Sequence, residues 1–245
     1  MTLRALLLLP LLSACISEKR QTQSAAHVDL GAAMMGEGNS AGAIATLQQA
    51  TQEDPRSWDA WNKLGLAYLA RGAPEMAEKA FKRSLRLAPK NGEALNNYGY
   101  FLMTQRRFEE AVPFFDKASM DLTYRNPGLA LNNLGYALLQ LGRNEEAVAR
   151  LNEAVARAPN LCQPRFTRGV ALRAINQPAR ALDDFEAVIE LCGANAAGAW
   201  YQAAELLIDL QDRTGACTYL NHVIQAASEG PLGQQARTLS AKECG

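Results

Sequence analysis

The sequence predicts an all-α protein, a solenoid of about six helix pairs closed by a C-terminal capping helix. Two ladders of small residues carry that prediction. Gly31, Gly65, Gly99, Gly135, Gly169 and Ala204 recur at spacings of 34, 34, 36, 34 and 35 residues. Ala43, Ala77, Ala111, Ala147, Ala181 and Ala216 repeat with the same spacings. Four positions after each member of the second ladder stands a large apolar residue: Leu47, Phe81, Phe115, Leu151, Phe185 and Leu220. Two ladders in register at one period are the signature of a stacked repeat, in which no unit can bury its apolar face alone. Small residues let the two helices of a pair approach, and the large ones fill the space between successive pairs.

Taken in order, the repeats run over about 24–57, 58–91, 92–127, 128–161, 162–196 and 197–230. Pro55, Pro89 and Pro159 close three of them, because proline cannot continue a helix. Turns inside the pairs are expected at Gly38, Gly72, Gly142 and Asn176, residues that tolerate the left-handed conformation of a helix C-terminus. Two extra residues before the fourth repeat lie in the polar, turn-prone stretch from Asp121 to Pro127, where a local bend is expected. The segment 231–245 reads as a capping helix and tail. Acidic pairs at Glu109-Glu110 and Glu145-Glu146 fall at the starts of second helices, where they complement the helix dipole. The run Trp61-x-x-Leu64-Gly65-x-x-Tyr68, followed by Ala77, Phe81 and Pro89, resembles the tetratricopeptide repeat consensus nearly position for position. That resemblance implies a right-handed α-solenoid whose concave groove is lined by the first helix of each pair.

The N-terminal segment carries a different message. Arg4, the apolar run from Ala5 to Leu12 and then Leu12-Ser13-Ala14-Cys15 look like a bacterial lipoprotein signal. Residues 1–14 are then a signal peptide, and Cys15 is the acylated first residue of the mature chain. The run is far shorter than the ~20 residues that span a bilayer. Ile16, standing where an Asp would retain the protein, implies the outer membrane, with the body facing the periplasm. Residues 15–23 form a tether that reaches at most roughly 30 Å when extended. Loss of Arg4 with the signal leaves 24 basic and 25 acidic residues, so the mature chain has a formal charge of about minus one. A nucleic-acid partner would call for a basic excess.

Four cysteines remain after Cys15, and an even number in an exported protein reads as disulfides. The repeat frame chooses among the pairings. Cys162 begins the first helix of the fifth pair and Cys192 ends its second. Cys217 begins the second helix of the sixth pair, and an antiparallel capping helix would end beside it at Cys244. Neither a CxxC motif nor Cys/His clustering points to a metal or a redox centre. His27 and His222 are the only histidines, far apart and without a nucleophile nearby in sequence. Phosphate-cradling loops are absent too. The chain therefore reads as a binding protein and not an enzyme, with no cofactor and no small-molecule substrate.

The candidate binding surface is the groove. Asn62, Asn96 and Asn132 share the fifth position of three successive repeats, and Leu66, Tyr100 and Tyr136 the ninth, with Met103, Leu139 and Phe166 beside them. Asn amides can bond a peptide backbone while an apolar and aromatic row takes its side chains. Asn97 and Asn133 occupy the position where the consensus itself carries a structural Asn.

A closer resemblance rests on Asn96-Asn97-Tyr98-Gly99-Tyr100-Phe101-Leu102, on Gln105-Arg106-Arg107-Phe108-Glu109-Glu110-Ala111, and on Asn133-Leu134-Gly135. These segments, with the lipobox, six repeats and the irregular link before the fourth, resemble the lipoproteins of type IV pilus biogenesis, the PilF/PilW/Tgl group. The four downstream cysteines resemble the Tgl branch. Arg165 and Arg168 depart from the repeat pattern by standing at normally apolar positions. The resemblance implies a pilotin, an outer-membrane lipoprotein that binds secretin subunits of the pilus machine and promotes their insertion and multimerisation. A lipoprotein scaffold for peptidoglycan hydrolases or for outer-membrane protein assembly shares the anchor and the repeats, and is the alternative.

Overall fold

The computed structural model describes the backbone of residues 3–245 and the side chains from residue 17 onward. The side chain of Cys15, and with it the expected lipidation site, lies outside the described residues. Thirteen α-helices follow one another among the described residues, with no strand. They are α1 (Leu3–Gly36), α2 (Ser40–Glu53), α3 (Trp58–Ala70), α4 (Pro74–Leu87), α5 (Gly92–Thr104), α6 (Phe108–Met120) and α7 (Pro127–Gln140). Then come α8 (Asn144–Arg157), α9 (Cys162–Ala174), α10 (Pro178–Cys192), α11 (Ala197–Asp209), α12 (Arg213–Ala226) and α13 (Pro231–Glu243). These are the six expected pairs and the cap. The tether expected over 15–23 lies wholly within α1 and is continuous with the first repeat. At 1.5 Å per residue it spans less than half the extended reach.

Starts and stops follow from local chemistry. Asn39, Ser57, Asn91 and Asp212 cap α2, α3, α5 and α12, each side chain accepting a hydrogen bond from a first-turn N–H. Pro74, Pro127, Pro178 and Pro231 open α4, α7, α10 and α13, where the missing N–H has no helical partner to lose. Between the helices of each pair one residue takes a positive φ: Gly38 at 78°, Gly72 at 74°, Gly142 at 72° and Asn176 at 57°, as expected. The third and sixth pairs place Arg106 at 59° and Gln211 at 66° in that same position, with no glycine to announce them. A left-handed residue with a Cβ costs roughly 1–2 kcal/mol. Replacing the exposed Gln211 with Gly is therefore expected to stabilise the protein by about 0.5–1 kcal/mol after glycine's own entropic cost, read as a higher urea midpoint at unchanged slope.

The chain divides into two compact units, residues 1–125 and 126–245. The division falls inside the polar stretch where a bend was expected. In the first unit, each pair packs internally and against the next, and the first helices also meet one another. Both ladders are buried. A Cβ on Gly65 would stand 2.8 Å from the Phe81 ring, and one on Gly99 would stand 2.8 Å from Phe115. The large residue of each second helix thus sits on the glycine of its own pair, and not only between pairs. Phe81 does both, since its ring also lies 5.7 Å from Phe101 and 6.3 Å from Tyr98. Wholly buried side chains of this size contribute about 1.5–3 kcal/mol each.

Charge ties the first unit together at its surface. Glu78 accepts from Lys82 and Arg107, and from the Tyr98 hydroxyl at 3.3 Å. The bond from Lys82 leads the effects that hold the Glu78 carboxyl below the usual carboxylate range. Near the unit's end, Asp121 accepts from the N–H of Gly92 at 2.6 Å and from the N–H and hydroxyl of Thr123. Tyr124 closes over Gly92, and burial pushes its phenol up to about 12.

The second unit repeats the plan and adds two staples. Gly169 lies under Phe185 and Gly135 under Leu151. Disulfides join Cys162 to Cys192, with Cα atoms 6.4 Å apart, and Cys217 to Cys244, 5.9 Å apart. These are the two pairs the repeat frame selected. The cap α13 packs on α12 and α11 around Ala204, Leu220, Val223 and Ala236.

Candidate functional site

The residues expected to line a groove fall in both units. In the first, Tyr100 is 43% exposed, and Leu66 and Met103 are half-buried. The amides do not accompany them outward. Asn62 is wholly buried: its Nδ2 donates to Glu93 at 3.4 Å and its Oδ1 accepts from Asn97 Nδ2 at 3.3 Å. Asn96 is buried and donates to Asn97 Oδ1. Lys63 completes this network with an ion pair to Glu93. For Lys63, burial opposes the charge, but the bond it donates to Glu93 and the charges of Glu93 and Asp59 outweigh it, raising its pKa. The expected ladder of open amides is therefore corrected here. Asn62 bonds Glu93 and Asn97 on α5, because an amide between two packed helices finds partners on the next helix before it finds solvent, while Asn96 is buried with its amide on Asn97 of its own helix.

The second unit differs. Asn132, Tyr136 and Leu139 share one face of α7, at the i, i+4 and i+7 positions. Tyr136 is 38% exposed and Leu139 half-buried. Asn132 is buried too, yet its Oδ1 has no hydrogen-bond partner. An unmet buried acceptor costs about 1–3 kcal/mol. Phe166, on α9, is half-buried, its ring 5.9 Å from Phe185 and near Gly198. It belongs more to the packing of the fifth and sixth pairs than to an open row.

Arg168, the departure from the repeat pattern, finds its reason across the turn. Its guanidinium forks Asp184 at 2.7 and 2.6 Å and reaches Asn152 at 3.0 Å. The bond to Asp184 leads the effects that raise the arginine's pKa. Arg173 similarly reaches Glu205 and Asp209 on α11. Sequence reasoning named none of these partners, because pairs 16, 32 and 36 residues apart leave no local mark. His27 bonds Glu53 at 2.8 Å, and His222 stacks on Trp200. Among the described residues, no cluster of three metal-ligating side chains occurs, and no helix is long and apolar enough to cross a membrane.

Three family models described as tetratricopeptide repeat match residues 28–92, 92–160 and 197–229. The chain is 34% identical over 99 residues to the type IV pilus assembly protein PilF of Pseudomonas aeruginosa. That match covers 40% of this chain, and the chain spans about two fifths, 39%, of that relative's length. It is also 32% identical over 77 residues to mouse aspartyl/asparaginyl beta-hydroxylase, covering 31% of this chain and 10% of that protein.

Among solved structures, that of Pseudomonas aeruginosa PilF superposes with a TM-score of 0.79 at 24% identity, over 90% of this chain and 99% of that one. PilW, described as a widely conserved type IV pilus biogenesis factor, gives 0.80 at 23% identity, over 86% and 97%. These likenesses show the fold. Three repeat models match most of the described solenoid and its two ladders are buried as that repeat requires, so the chain is an all-α solenoid of tetratricopeptide repeats.

Proposed function

We propose that this chain is a lipid-anchored outer-membrane lipoprotein of type IV pilus biogenesis that acts as a pilotin. It captures secretin subunits and promotes their insertion and multimerisation. The observation that carries the reading is the 34% identity over 99 residues to a type IV pilus assembly protein. The fold likeness to a second pilus biogenesis factor over 86% of the chain supports it.

Within the second unit, the α7 face supplies the means of capture. Tyr136, with Leu139 one turn on, takes apolar side chains of an extended secretin segment. Tyr100 offers a further exposed aromatic in the first unit. Acylation of Cys15 holds the body at the membrane, each buried acyl methylene contributing about 0.8 kcal/mol.

The test is an immunoblot for heat-resistant secretin multimers in membranes from cells with the gene deleted and then restored. Deletion is expected to remove multimers and leave monomers; the wild-type gene restores them and Cys15→Ala does not. Tyr100→Ala with Tyr136→Ala should cut secretin pull-down at least about tenfold, a loss of 1.4 kcal/mol, while circular dichroism stays native. Normal multimers in the deletion strain would reject the pilotin reading and favour a scaffold for another envelope complex.

A further inference from the structure

The second and third repeats are built on the same template, and comparing them position by position exposes a site. In the second repeat the junction with its predecessor is sealed by the chain itself. The Trp61 indole N–H donates to the carbonyl of Pro55 at 3.2 Å, and Arg83 donates to the same oxygen at 3.2 Å. Thirty-four residues later the corresponding positions are Pro89, Leu95 and Lys117. Leu95 has no donor and is smaller than an indole, and no hydrogen bond joins Lys117 to the Pro89 carbonyl among the described residues. An open cavity of about 680 Å³ lies there, in the size range of ligand sites. Its lip has changed in the same direction. Where the second repeat carries Arg86 and Ala88, the third carries Met120, 63% exposed, and Leu122, 99% exposed. A leucine left almost wholly in water beside an apolar hollow marks a surface built to be covered.

We propose that this cavity docks a partner peptide presenting a tryptophan next to a carboxylate, the indole taking in trans the place that Trp61 holds one repeat earlier. The template supplies the aromatic half: an indole N–H to the Pro89 carbonyl, with its ring on Leu95 and against Met120 and Leu122. Charge supplies the other half. Lys90 and Lys117 stand exposed at the rim, with no ion pair among the described residues. Asp121, the acid in the lining, already has its oxygens engaged by Gly92 and Thr123. The rim is left with a positive excess that a carboxylate adjoining the indole would meet. The site uses none of Tyr100, Asn132 or Tyr136, so it stands or falls separately from secretin capture.

The test uses the full chain labelled at its Leu and Met methyl groups, titrated with the blocked dipeptide acetyl-Trp-Asp-amide and followed by NMR. Saturable shifts in the millimolar range are expected at the Leu95, Met120 and Leu122 methyls. Acetyl-Ala-Asp-amide should leave them unmoved, and acetyl-Trp-Asn-amide should bind about threefold more weakly, as expected for an exposed ion pair. Leu95→Trp, which installs the indole in cis as the second repeat does, should keep the native spectrum and abolish the response at Met120 and Leu122. Lys90→Glu, a surface change that leaves the cavity floor intact, should weaken the dipeptide by a similar factor. An absence of methyl shifts, or an undiminished response in Leu95→Trp, would overturn the proposal. So would broadening of the same methyls by phosphatidylglycerol vesicles without any response to the dipeptide, which would assign the patch to a lipid surface.

Discussion

Asp184→Ala is expected to destabilise the second unit by about 3–5 kcal/mol, the characteristic loss when one partner of a buried ion pair is removed. The Asp184 side chain is 5% exposed and Arg168 18%, and the guanidinium meets both carboxylate oxygens. Without the acid, the cation stays inside with only Asn152 to bond. The size of the effect comes from that uncompensated charge and not from the net strength of the pair. Replacing both members with leucine should therefore recover most of the loss, since well-packed apolar residues often substitute for a buried pair at little cost. Urea denaturation of the two variants decides the matter. A single substitution costing under about 1 kcal/mol would place the pair with ordinary surface ion pairs.

Loss of the disulfides has the next largest effect. The two bridges join residues 30 and 27 apart in sequence. On the chain-entropy account each is worth roughly 3–4 kcal/mol. Cys162→Ser with Cys192→Ser frees the ends of α9 and α10 from one another; Cys217→Ser with Cys244→Ser frees the cap. In a repeat protein stability is a sum of nearest-neighbour terms, and the terminal units fray first. Hydrogen exchange is accordingly expected to quicken in α12 and α13 on loss of the second bridge, while α3 to α6 keep their protection. Uniform acceleration along the whole chain would show that the bridges stabilise by another route.

Much of this architecture was legible because its requirements recur. A helix pair that must approach closely needs a small residue at one place and a large apolar one opposite, and the chain meets that need at Gly65 and Phe81 and again at Gly99 and Phe115. Periodicity therefore located the pairs, the turns at glycine and the disulfide partners. It also found Tyr100 and Tyr136, whose ninth position points outward. It misjudged Asn62 and Asn96, because period tells which face a residue is on but not whether that face is covered. The left-handed turns at Arg106 and Gln211 left no residue-type signal, since repeat spacing holds them there against their own preference. The pocket beside Leu95 was written in the sequence as a Trp-to-Leu change between aligned repeats, but a missing side chain is not a cavity until its neighbours are known.

What the sequence by itself determined is the sequence of pairs, their register and their staples, because each rests on spacing along the chain. What only the tertiary structure decided is which polar groups are satisfied. Asn62 and Arg168 find partners 35 and 16 residues away, whereas the buried oxygen of Asn132 finds none. Hydrogen bonds are short-ranged and directional, so their closure depends on the packing of helices distant in sequence, which residue spacing does not encode.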